Sequence, residues 1–387
     1  MRRNRVATAA DFAYEGAMTQ TRFDIFLACP PGLESALASE LAENGFAKCR
    51  PEQGGVTIKG GWAEVWRANL QIRGATRVLA VLDRFKCQHL NQLEQLARQT
   101  PWPELFHAGT PVKVEASCRK SRIYHDGAAA ERVANAIART ALVAIRDDAE
   151  ITVRVRIDHD VVTLSVDSSG EPLHKRGYKQ AVAKAPLRET MAALLLREMG
   201  YDGRAPLLDP VCGSGTFVIE AAQLAAGLAP GRARGFAFER FASFDRDAFM
   251  ALRNRAPHAR SDAPCFGFDR DPGAVRMAKE NAERAEVSDR VTFSEGGLKD
   301  LKRPDCAPGW VVANPPYGAR VGDKSAVFGV YKTFGAVMRD QFSGWRAAFI
   351  TTDEKMAKAT GLAFERTSAP IDHGGLKIRL HVTGELK

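Results

Sequence analysis

A tetrapeptide with the sequence Asn-Pro-Pro-Tyr follows the apolar run 310–313, which is typical of a buried strand. The side-chain oxygen of Asn314 and the carbonyl of Pro315 can accept the two N–H bonds of an exocyclic amine on a nucleobase. Pro315 and Pro316 fix φ and stiffen the loop, and Tyr317 offers a face on which a base can stack. These four residues are therefore candidates for a catalytic site at the end of a strand. A proline-rich loop after a core strand is the alternative interpretation.

A glycine turn lies upstream, between a short apolar run that ends at Asp209 and a stretch with the apolar spacing of a helix. A strand, a turn and a helix in this order bring backbone N–H groups and the positive end of a helix to one point. Gly213 and Gly215 let the chain pass close under a ligand, because a Cβ would clash there. On its own, such a turn more often serves close packing of a strand and a helix than the binding of a ligand.

A second buried strand is predicted at 266–269 and ends in the acid Asp269, whose carboxylate can take both ribose hydroxyls of a nucleoside cofactor. A dinucleotide-binding fold places this acid about 20 residues after the glycines. Here an arginine-rich insertion over 231–263 puts Asp269 much later in the chain. This spacing argues against a nicotinamide cofactor.

Three predicted strands are followed by a glycine turn, an acid and NPPY, in this order. This pattern resembles that of the class I S-adenosylmethionine-dependent methyltransferases. The resemblance implies an α/β fold, with a Rossmann-like methyltransferase domain over 186–387 built on a mostly parallel seven-stranded sheet. It implies no metal and no covalent nucleophile, so Cys212 is expected to fill space. The residues that the resemblance assigns to the cofactor are Asp209, Pro210, Cys212, Gly213, Ser214, Gly215, Thr216, Asp269, Arg270, Leu298 and Asn314.

The resemblance also implies a role for some of these residues. Asp209 would orient the amino group of the methionine, Asp269 would bind the ribose and Arg270 would flank the adenine. One departure concerns the adenine amine, because Gly297 stands where the family commonly has an acid. Asp300 or a backbone carbonyl is the expected replacement.

The N-terminal half shows two related patterns of strands and helices. Between 22 and 85 the order β-α-β-α-β predicts a ferredoxin-like unit. Between 86 and 170, a strand at 112–116, an amphipathic helix at 126–145 and a hairpin over 151–166 predict a second α+β unit.

Three stretches, FDIFLACPPGLESALASEL, HDGAAAERVANAIARTAL and LHKRGYK, resemble the N-terminal half of THUMP-domain RNA methyltransferases. The resemblance continues through the glycine turn and NPPY and covers nearly all of 22–387. It implies that the ferredoxin-like unit and a THUMP domain over 86–170 together capture structured RNA. The closest likeness is to bacterial enzymes that methylate the exocyclic N2 of a guanine in 23S ribosomal RNA. Relatives often carry a second methyltransferase downstream, whereas this chain is expected to have a single activity.

A basic linker is predicted over 171–185, between the RNA-capture half and the methyltransferase domain. Cations interleaved with an aromatic residue suit a phosphate strand with a base stacked beside it. The residues expected to contact RNA are Lys175, Arg176, Tyr178, Lys179 and Lys184. A solvated basic linker is the alternative. Arg154 and Arg156 in the hairpin are interpreted either as RNA contacts or as a solvated sheet face.

Composition is that of an ordinary soluble protein, with 45% hydrophobic and 26% charged residues. A formal charge of +9 suits a polyanionic partner without requiring one. No apolar run approaches the roughly 18 residues of a membrane span. No secretory signal is visible, since 1–21 lacks an apolar core. This stretch is interpreted as a mobile tail. Seven cysteines without a CxxC pair favour a reducing cytoplasm over disulfides or a metal site.

The sequence therefore predicts an S-adenosylmethionine-dependent enzyme that methylates the N2 of a guanine in 23S rRNA after the base is flipped out. An adenine-N6 methyltransferase acting on RNA or DNA, or a guanine-N2 methyltransferase acting on tRNA, is the alternative with the same chemistry. A non-catalytic RNA-binding or ribosome-assembly protein is the alternative of another class.

Overall fold

The computed structural model describes residues 22–180, 187–315 and 324–387. The expected tail over 1–21 lies outside this range, as do Lys184, Pro316 and Tyr317. The interpretations of these residues remain predictions.

The first unit alternates strands and helices as expected. Its elements are β1 (Phe23–Ala28), α1 (Glu34–Glu43), β2 (Arg50–Glu52), β3 (Gly55–Gly60), α2 (Trp62–Gln71) and β4 (Arg77–Lys86). Leu33, Leu37 and Leu41 are fully buried at a spacing of four, which is the spacing of one helical face. This face packs α1 against the sheet, as the sequence predicts.

The second unit follows directly. Its elements are α3 (Leu90–Ala97), α4 (Trp102–Leu105), β5 (Pro111–Arg119), α5 (Asp126–Ala141), β6 (Ala144–Ile145), β7 (Ile151–Asp158) and β8 (Val161–Asp167). The helix expected over 126–145 is shorter than predicted, because Leu142 adopts a left-handed conformation with φ of 53° that ends it. The last two residues of the expected helix form β6 instead.

The two N-terminal units share one eight-stranded sheet with the order β2-β3-β1-β4-β8-β7-β5-β6. The strand β4 joins them, since it pairs antiparallel with β1 on one side and with β8 on the other. The boundary expected at residue 85 therefore falls at the end of a shared strand rather than in a linker. We call the body formed by 22–170 the capture module.

The C-terminal half contains a second sheet flanked by helices. Its elements are α6 (Glu189–Met199), β9 (Leu207–Asp209), α7 (Thr216–Ala225), α8 (Arg246–Arg253), β10 (Cys265–Asp269), α9 (Pro272–Arg284), β11 (Val291–Glu295), β12 (Trp310–Ala313), α10 (Lys324–Gln341), β13 (Arg346–Thr351), α11 (Glu354–Ala359), β14 (Phe364–Thr367), β15 (Ile371–His373) and β16 (Leu376–Glu385). Seven strands run in the order β11-β10-β9-β12-β13-β16-β14, and β15 pairs with β16 as a short addition. The first five strands are parallel, which confirms the mostly parallel Rossmann-like sheet.

Strand order reverses at β9 in this sheet. The chain passes from β9 to β10 and β11 on one side and then crosses to β12 on the other. Crevices outside the carboxyl ends of strands at such a switch point are where open α/β sheets bind ligands. The glycine turn after β9 and Asn314 after β12 both lie there.

The two halves are joined by buried ionic and aromatic contacts. Arg73 of the capture module and Arg176 of the linker both form ion pairs with Glu220 on α7, at 3.1 Å and 3.2 Å. Trp66 on α2 packs edge to face against Phe244 and Phe249 of the insertion between β9 and β10. The insertion therefore serves partly as the packing surface between the halves.

Candidate active site

The glycine turn after β9 is fixed to the end of β10 by two backbone donors. The N–H of Gly213 donates to the Asp269 carboxylate at 2.8 Å, and the N–H of Cys212 donates to the carbonyl of Phe268 at 3.0 Å. From the other side, the side chain of Asn281 donates to the carbonyl of Ser214 at 3.1 Å. The turn is therefore held rigidly, and the carboxylate expected at the ribose lies beside the glycines.

Gly213 and Gly215 have different surroundings. A Cβ added to Gly213 would meet no atom of the described chain within 4 Å, so the space above this glycine is open. A Cβ at Gly215 would meet Ala278 and Phe293 at 3.1 Å. The space beside Gly213 is therefore open, whereas at Gly215 the packing of the protein itself leaves no room for a Cβ. The approach of a ligand to the two glycines stays a prediction.

Asp209 is buried at the end of the central strand. Its carboxylate accepts a hydrogen bond from the N–H of Val211 at 3.1 Å, the only side-chain bond that the described residues give it. Burial raises the pKa of Asp209 to about 8, the bond from Val211 opposes the rise, and the nearby Asp269 carboxylate adds to it. Such a group favours a cationic partner, because a positive charge stabilises its ionised form.

Cys212 is buried in the turn beside these acids. Burial, Asp209 and Asp269 together raise the pKa of its thiol well above the ordinary value. The thiol therefore stays protonated, which agrees with a space-filling role rather than a nucleophilic one. Pro210, Ser214 and Thr216 are buried as well.

Asn314 directly follows β12, whose last residue Ala313 is level with Phe349 of β13. Its side-chain oxygen is buried and has no hydrogen-bond partner in the described part of the chain. A buried amide oxygen without a partner is costly, and in a native protein it suggests a ligand or ordered water. Pro315 beside it is buried.

A cavity of about 430 Å³ lies at the end of β13, the strand next to β12. Its walls include Thr351, Asp353, Arg379 and His381. The ring of His381 is stacked on Phe349 at 5.4 Å between centroids. The cavity lies beside β13 and β16, and its described walls include neither Asn314 nor the glycine turn.

The adenine side of the crevice departs from the family pattern, as expected. Asp300 accepts a hydrogen bond from the N–H of Gly297 at 3.2 Å and so closes the short turn 298–300. Leu298 is half-buried and packs against the core of this half. Arg270 is exposed just beyond Asp269.

The linker residues expected on an RNA-facing surface are mostly buried. The guanidinium of Arg176 donates to the carbonyls of Leu173 and Arg73 at 2.9 Å and 2.6 Å, in addition to its pairing with Glu220. Tyr178 is only 3% exposed. The prediction that Arg176 and Tyr178 contact RNA is therefore wrong, because the fold uses them inside the junction between the halves.

Lys179 is also taken up by the fold. Its ammonium donates to Thr216 at 2.8 Å and to the carbonyl of Leu187 at 3.1 Å, and it lies 3.2 Å from the carboxylate of Glu189. Because Thr216 opens α7 just after the glycine turn, Lys179 supports that turn from below rather than facing RNA. Lys175 alone among the described linker cations is exposed, and it pairs with Glu171.

The hairpin arginines are also paired with acids. Arg154 lies 2.9 Å from Glu115, and Arg156 lies 3.0 Å from Asp158. These ion pairs favour the interpretation that both arginines lie on a solvated sheet face over the interpretation that they contact RNA.

Several contributors to the site have no local sequence signal. Asn281 and Glu189 lie on ordinary amphipathic helices, and only the fold brings them to the glycine turn and to Lys179. Within the described ranges, no group of three or more His, Cys, Asp or Glu side chains could hold a metal ion. None of the helices found there is long and apolar enough to cross a membrane.

The residues present fit the cofactor expected from the sequence. Asp209 offers a carboxylate for an ammonium group, Gly213 leaves open space, and Asp269 lies where ribose hydroxyls would be held. This donor set suits a nucleoside with a charged amino-acid tail.

Family models match three consecutive parts of the chain. A ferredoxin-like domain of the RlmL type matches 24–79, the THUMP domain matches 87–167, and the RMKL-like methyltransferase domain matches 176–378. The last model alone covers more than half of the chain.

Two curated relatives illustrate the similarity. A Synechocystis protein, slr0064, named as a candidate RNA methyltransferase, is 32% identical over 94% of this chain and 97% of its own length. The ribosomal RNA large subunit methyltransferase K/L of Methylococcus capsulatus is 34% identical over 94% of this chain and 51% of its own length. The chain thus spans about half the length of the K/L relatives that it matches.

Two solved structures share the whole architecture. The methyltransferase-like protein SMU.472, solved with S-adenosylhomocysteine, is 27% identical, with a TM-score of 0.86 over 96% of this chain and 100% of its own. A Listeria monocytogenes protein, named as a predicted N6-adenine-specific DNA methylase, is 29% identical, with a TM-score of 0.85 over 94% and 97%. The chain belongs to the RMKL-like methyltransferase family, and its cofactor is S-adenosylmethionine.

Proposed function

We propose that this chain methylates the exocyclic N2 of a guanine in 23S ribosomal RNA. The observation that carries the proposal is the buried, unpartnered side-chain oxygen of Asn314 at the switch point of the sheet. An acceptor in this position is matched by the N–H of an exocyclic amine, and the open space above Gly213 lies across the same crevice.

When bound, S-adenosylmethionine would supply a methyl carbon on a sulfonium. The N2 lone pair forms a bond to this carbon in line, the C–S bond breaks so that S-adenosylhomocysteine leaves, and one N2 proton is released to solvent. The guanine N2 lone pair is delocalised into the ring and is a poor nucleophile. Asn314 and the carbonyl of Pro315 accept its N–H bonds and so localise the lone pair toward the methyl group. Binding holds the guanine and the methyl donor in the reacting orientation, so their loss of entropy occurs before the chemical step. This lowers the barrier by roughly 7–11 kcal/mol.

A guanine in a stem must leave the stack before it can reach Asn314. Flipping costs a few kcal/mol, which favours loops and distorted helices as targets. A stacking role of Tyr317 on that base stays a prediction.

The RNA substrate is supported by the THUMP domain and by the names of the relatives. Ribosomal RNA of the large subunit is the substrate in the names of the K/L proteins, which supports 23S rRNA as the target. Mapping N2-methylguanine in 23S rRNA from a deletion strain and its parent tests this target. One methylated guanine should disappear on deletion and return with the gene, and an unchanged map would contradict the proposal.

Adenine-N6 methylation is the second candidate, because the Listeria relative is named for that activity on DNA. The same acceptor oxygen suits the N6 amine of adenine. Digestion of total RNA and DNA from the two strains separates the candidates. Loss of N6-methyladenine with intact N2-methylguanine would establish the second candidate and reject the first.

Asn314→Ala tests the role of the acceptor in the purified protein. We expect kcat to fall about 100-fold or more, as when one preorganised polar contact to a reacting group is removed. Asn314→Asp keeps an acceptor oxygen at the same position and should lose less activity than the alanine variant. A fall in kcat smaller than about tenfold in Asn314→Ala would contradict the role.

Calorimetry with S-adenosylmethionine distinguishes an active enzyme from a relic fold that only binds RNA. The wild type should bind the cofactor through Asp209, Gly213 and Asp269. Absence of binding by the wild type at millimolar cofactor would favour the relic.

A further inference from the structure

One end of the capture-module sheet carries five exposed cations, which we call the cationic edge: Arg84, Lys86, Arg119, Lys120 and Arg122. Strand pairing brings them together, because Lys86 ends β4 opposite Val161, and Arg119 ends β5 opposite Asp158. In the described part of the chain none of the five forms a salt bridge, although neighbouring Arg156 does. Their charge is therefore available to a partner outside the chain.

A tyrosine stands beside the cationic edge. Tyr124 is 83% exposed, the highest value among the large hydrophobic side chains of the described residues. An exposed aromatic ring next to cations is the arrangement with which proteins hold unpaired nucleotides, because every base has a face that can stack.

The segment carrying Arg122 and Tyr124 is held in place by Asp160. The Asp160 carboxylate accepts the backbone N–H of Arg122 at 2.7 Å and the side-chain amide of Gln88 at 2.9 Å. The N–H of Asp160 donates in turn to Ser121 at 3.0 Å. Backbone groups are thus satisfied within the chain, while the side chains of Arg122 and Tyr124 remain directed to solvent.

A cavity of about 370 Å³ lies next to Tyr124, between the start of α3 and the start of α5. Its walls include His89, Asn91, His125 and Arg132. His125 accepts the N–H of Ala128 through Nδ1 at 3.1 Å, so in the neutral ring Nε2 carries the proton and is a donor. The volume lies at the lower end of small-ligand pockets, which suits one nucleotide and excludes a duplex.

We propose that this cavity, Tyr124 and the cationic edge form a non-catalytic binding site for an unpaired ribonucleotide of the RNA substrate. The base stacks on Tyr124, His125 donates to it, and Arg122 and its neighbours contact the flanking phosphates. An A-form stem cannot present a base to such a cavity, since its bases are paired and its deep groove is narrow. The site rests on the proposed function for its RNA substrate and adds where that RNA is held.

Fluorescence anisotropy with a fluorescein-labelled single-stranded RNA of about 12 nucleotides, and a duplex of equal length, tests the site. Tyr124→Ala should raise the Kd for the single strand about fivefold or more, whereas Tyr124→Phe, which keeps the stacking face, should match wild type. The loss on the duplex should be smaller. An equal loss on both probes, or wild-type affinity of Tyr124→Ala, would overturn the proposal.

Two arginine variants separate this site from general charge attraction. Arg122→Ala keeps the backbone bond to Asp160 but removes one phosphate contact, so the slope of log K against log salt should become shallower by about 0.7. Arg156→Ala removes an equal charge from the same sheet, but one that is paired with Asp158, and should leave both affinity and slope unchanged. Equal changes in affinity and slope in the two variants would mean that only the net charge matters, and would overturn the proposal.

The folding control uses S-adenosylhomocysteine binding and the unfolding midpoint. Both should stay at wild-type values in all four variants, and a shift in either would assign the affinity loss to misfolding and overturn the site.

The site and the proposed function can fail separately. Anisotropy changes as expected, with an unchanged N2-methylguanine map in the deletion strain, would keep the site and reject the function. A lost methylation with unaffected anisotropy in Tyr124→Ala and Arg122→Ala would do the reverse.

Discussion

Two short segments of this chain have nearly the same composition and opposite surroundings. The linker segment 175–179 and the edge segment 119–124 each combine several cations with one tyrosine. In the linker, Tyr178 is 3% exposed and Arg176 is surrounded by carbonyls and a carboxylate, whereas in the edge segment Tyr124 is 83% exposed. Residue type describes what a segment can bind, and the partners that the fold provides decide what it does bind.

The difference has a simple physical origin. In the linker, side-chain donors satisfy backbone carbonyls at the junction of two domains, where water is excluded. In the edge segment, Asp160 satisfies the backbone and the cations keep their contact with water. A buried guanidinium must be paired to be tolerated, so the charge of Arg176 is not available to RNA.

Arg176→Ala should give the largest effect among the variants that probe this comparison. Removing a buried partner of Glu220 and the donor to two carbonyls should lower the free energy of unfolding by about 3 kcal/mol or more. Arg122→Ala at the exposed edge should change it by less than about 0.5 kcal/mol. Urea unfolding monitored by circular dichroism measures both.

Arg176→Lys serves as the control for charge. Lysine keeps the positive charge but lacks the planar fork that reaches three acceptors, so an intermediate loss is expected. Equal losses in Arg176→Ala and Arg122→Ala would show that the linker is as solvated as the edge, and the contrast would disappear.

Protonation of His174 should have a smaller effect on the free energy of unfolding, and this effect depends on pH. Burial, followed by the charges of Arg188 and Arg176, lowers the pKa of His174 to about 4. Because the unfolded chain binds this proton near pH 6.5 and the folded chain does not, the free energy of unfolding should fall as pH drops from about 6.5 to 4. The loss should stay below about 3 kcal/mol, since part of the ring reaches solvent and is screened.

An NMR titration of the His174 ring checks its pKa directly. Urea unfolding at pH 7 and pH 5 should show a smaller difference in His174→Gln than in wild type, because the variant lacks the titrating group. A ring that titrates near pH 6.5 would mean that the linker is exposed to water.

Tyr178→Phe should give the smallest effect. The hydroxyl of Tyr178 is buried without a hydrogen-bond partner in the residues that the structure describes. Its removal should therefore leave stability unchanged or raise it by about 1 kcal/mol. A destabilisation of more than about 1 kcal/mol, measured by thermal unfolding beside Tyr124→Phe, would reveal a partner for that hydroxyl.

The buried strands that carry the site were predictable because they follow from local signals, whereas the parallel sheet was implied by the resemblance. Apolar runs that end in Asp209, Asp269 and Asn314 predict buried strands, and carboxyl ends of parallel strands meet at one edge. The mostly parallel sheet that the resemblance implies is confirmed by strand pairing, with seven strands in the main order and β15 as an eighth. The expectation that Cys212 is inert agrees with its burial.

What the sequence could not predict depends on long-range partners. Arg176 and Glu220 are 44 residues apart, and no local pattern indicates that they meet. Gly213 and Gly215 look equivalent in sequence, yet a Cβ would find open space only at Gly213, because Gly215 packs against Ala278 of α9 and Phe293 of β11. The end of α5 was also missed, since Leu142 has no residue-type preference for the left-handed conformation that ends the helix.

The strand β4 is hydrogen-bonded on both sides, to β1 and to β8, and this has a consequence for how such proteins can be rearranged in evolution. Cutting the chain after residue 86 would leave one long strand edge bare on each piece, and bare edges recruit other chains into aggregates. We therefore expect residues 22–170 to be exchanged between proteins as a single unit, although two family models divide this range.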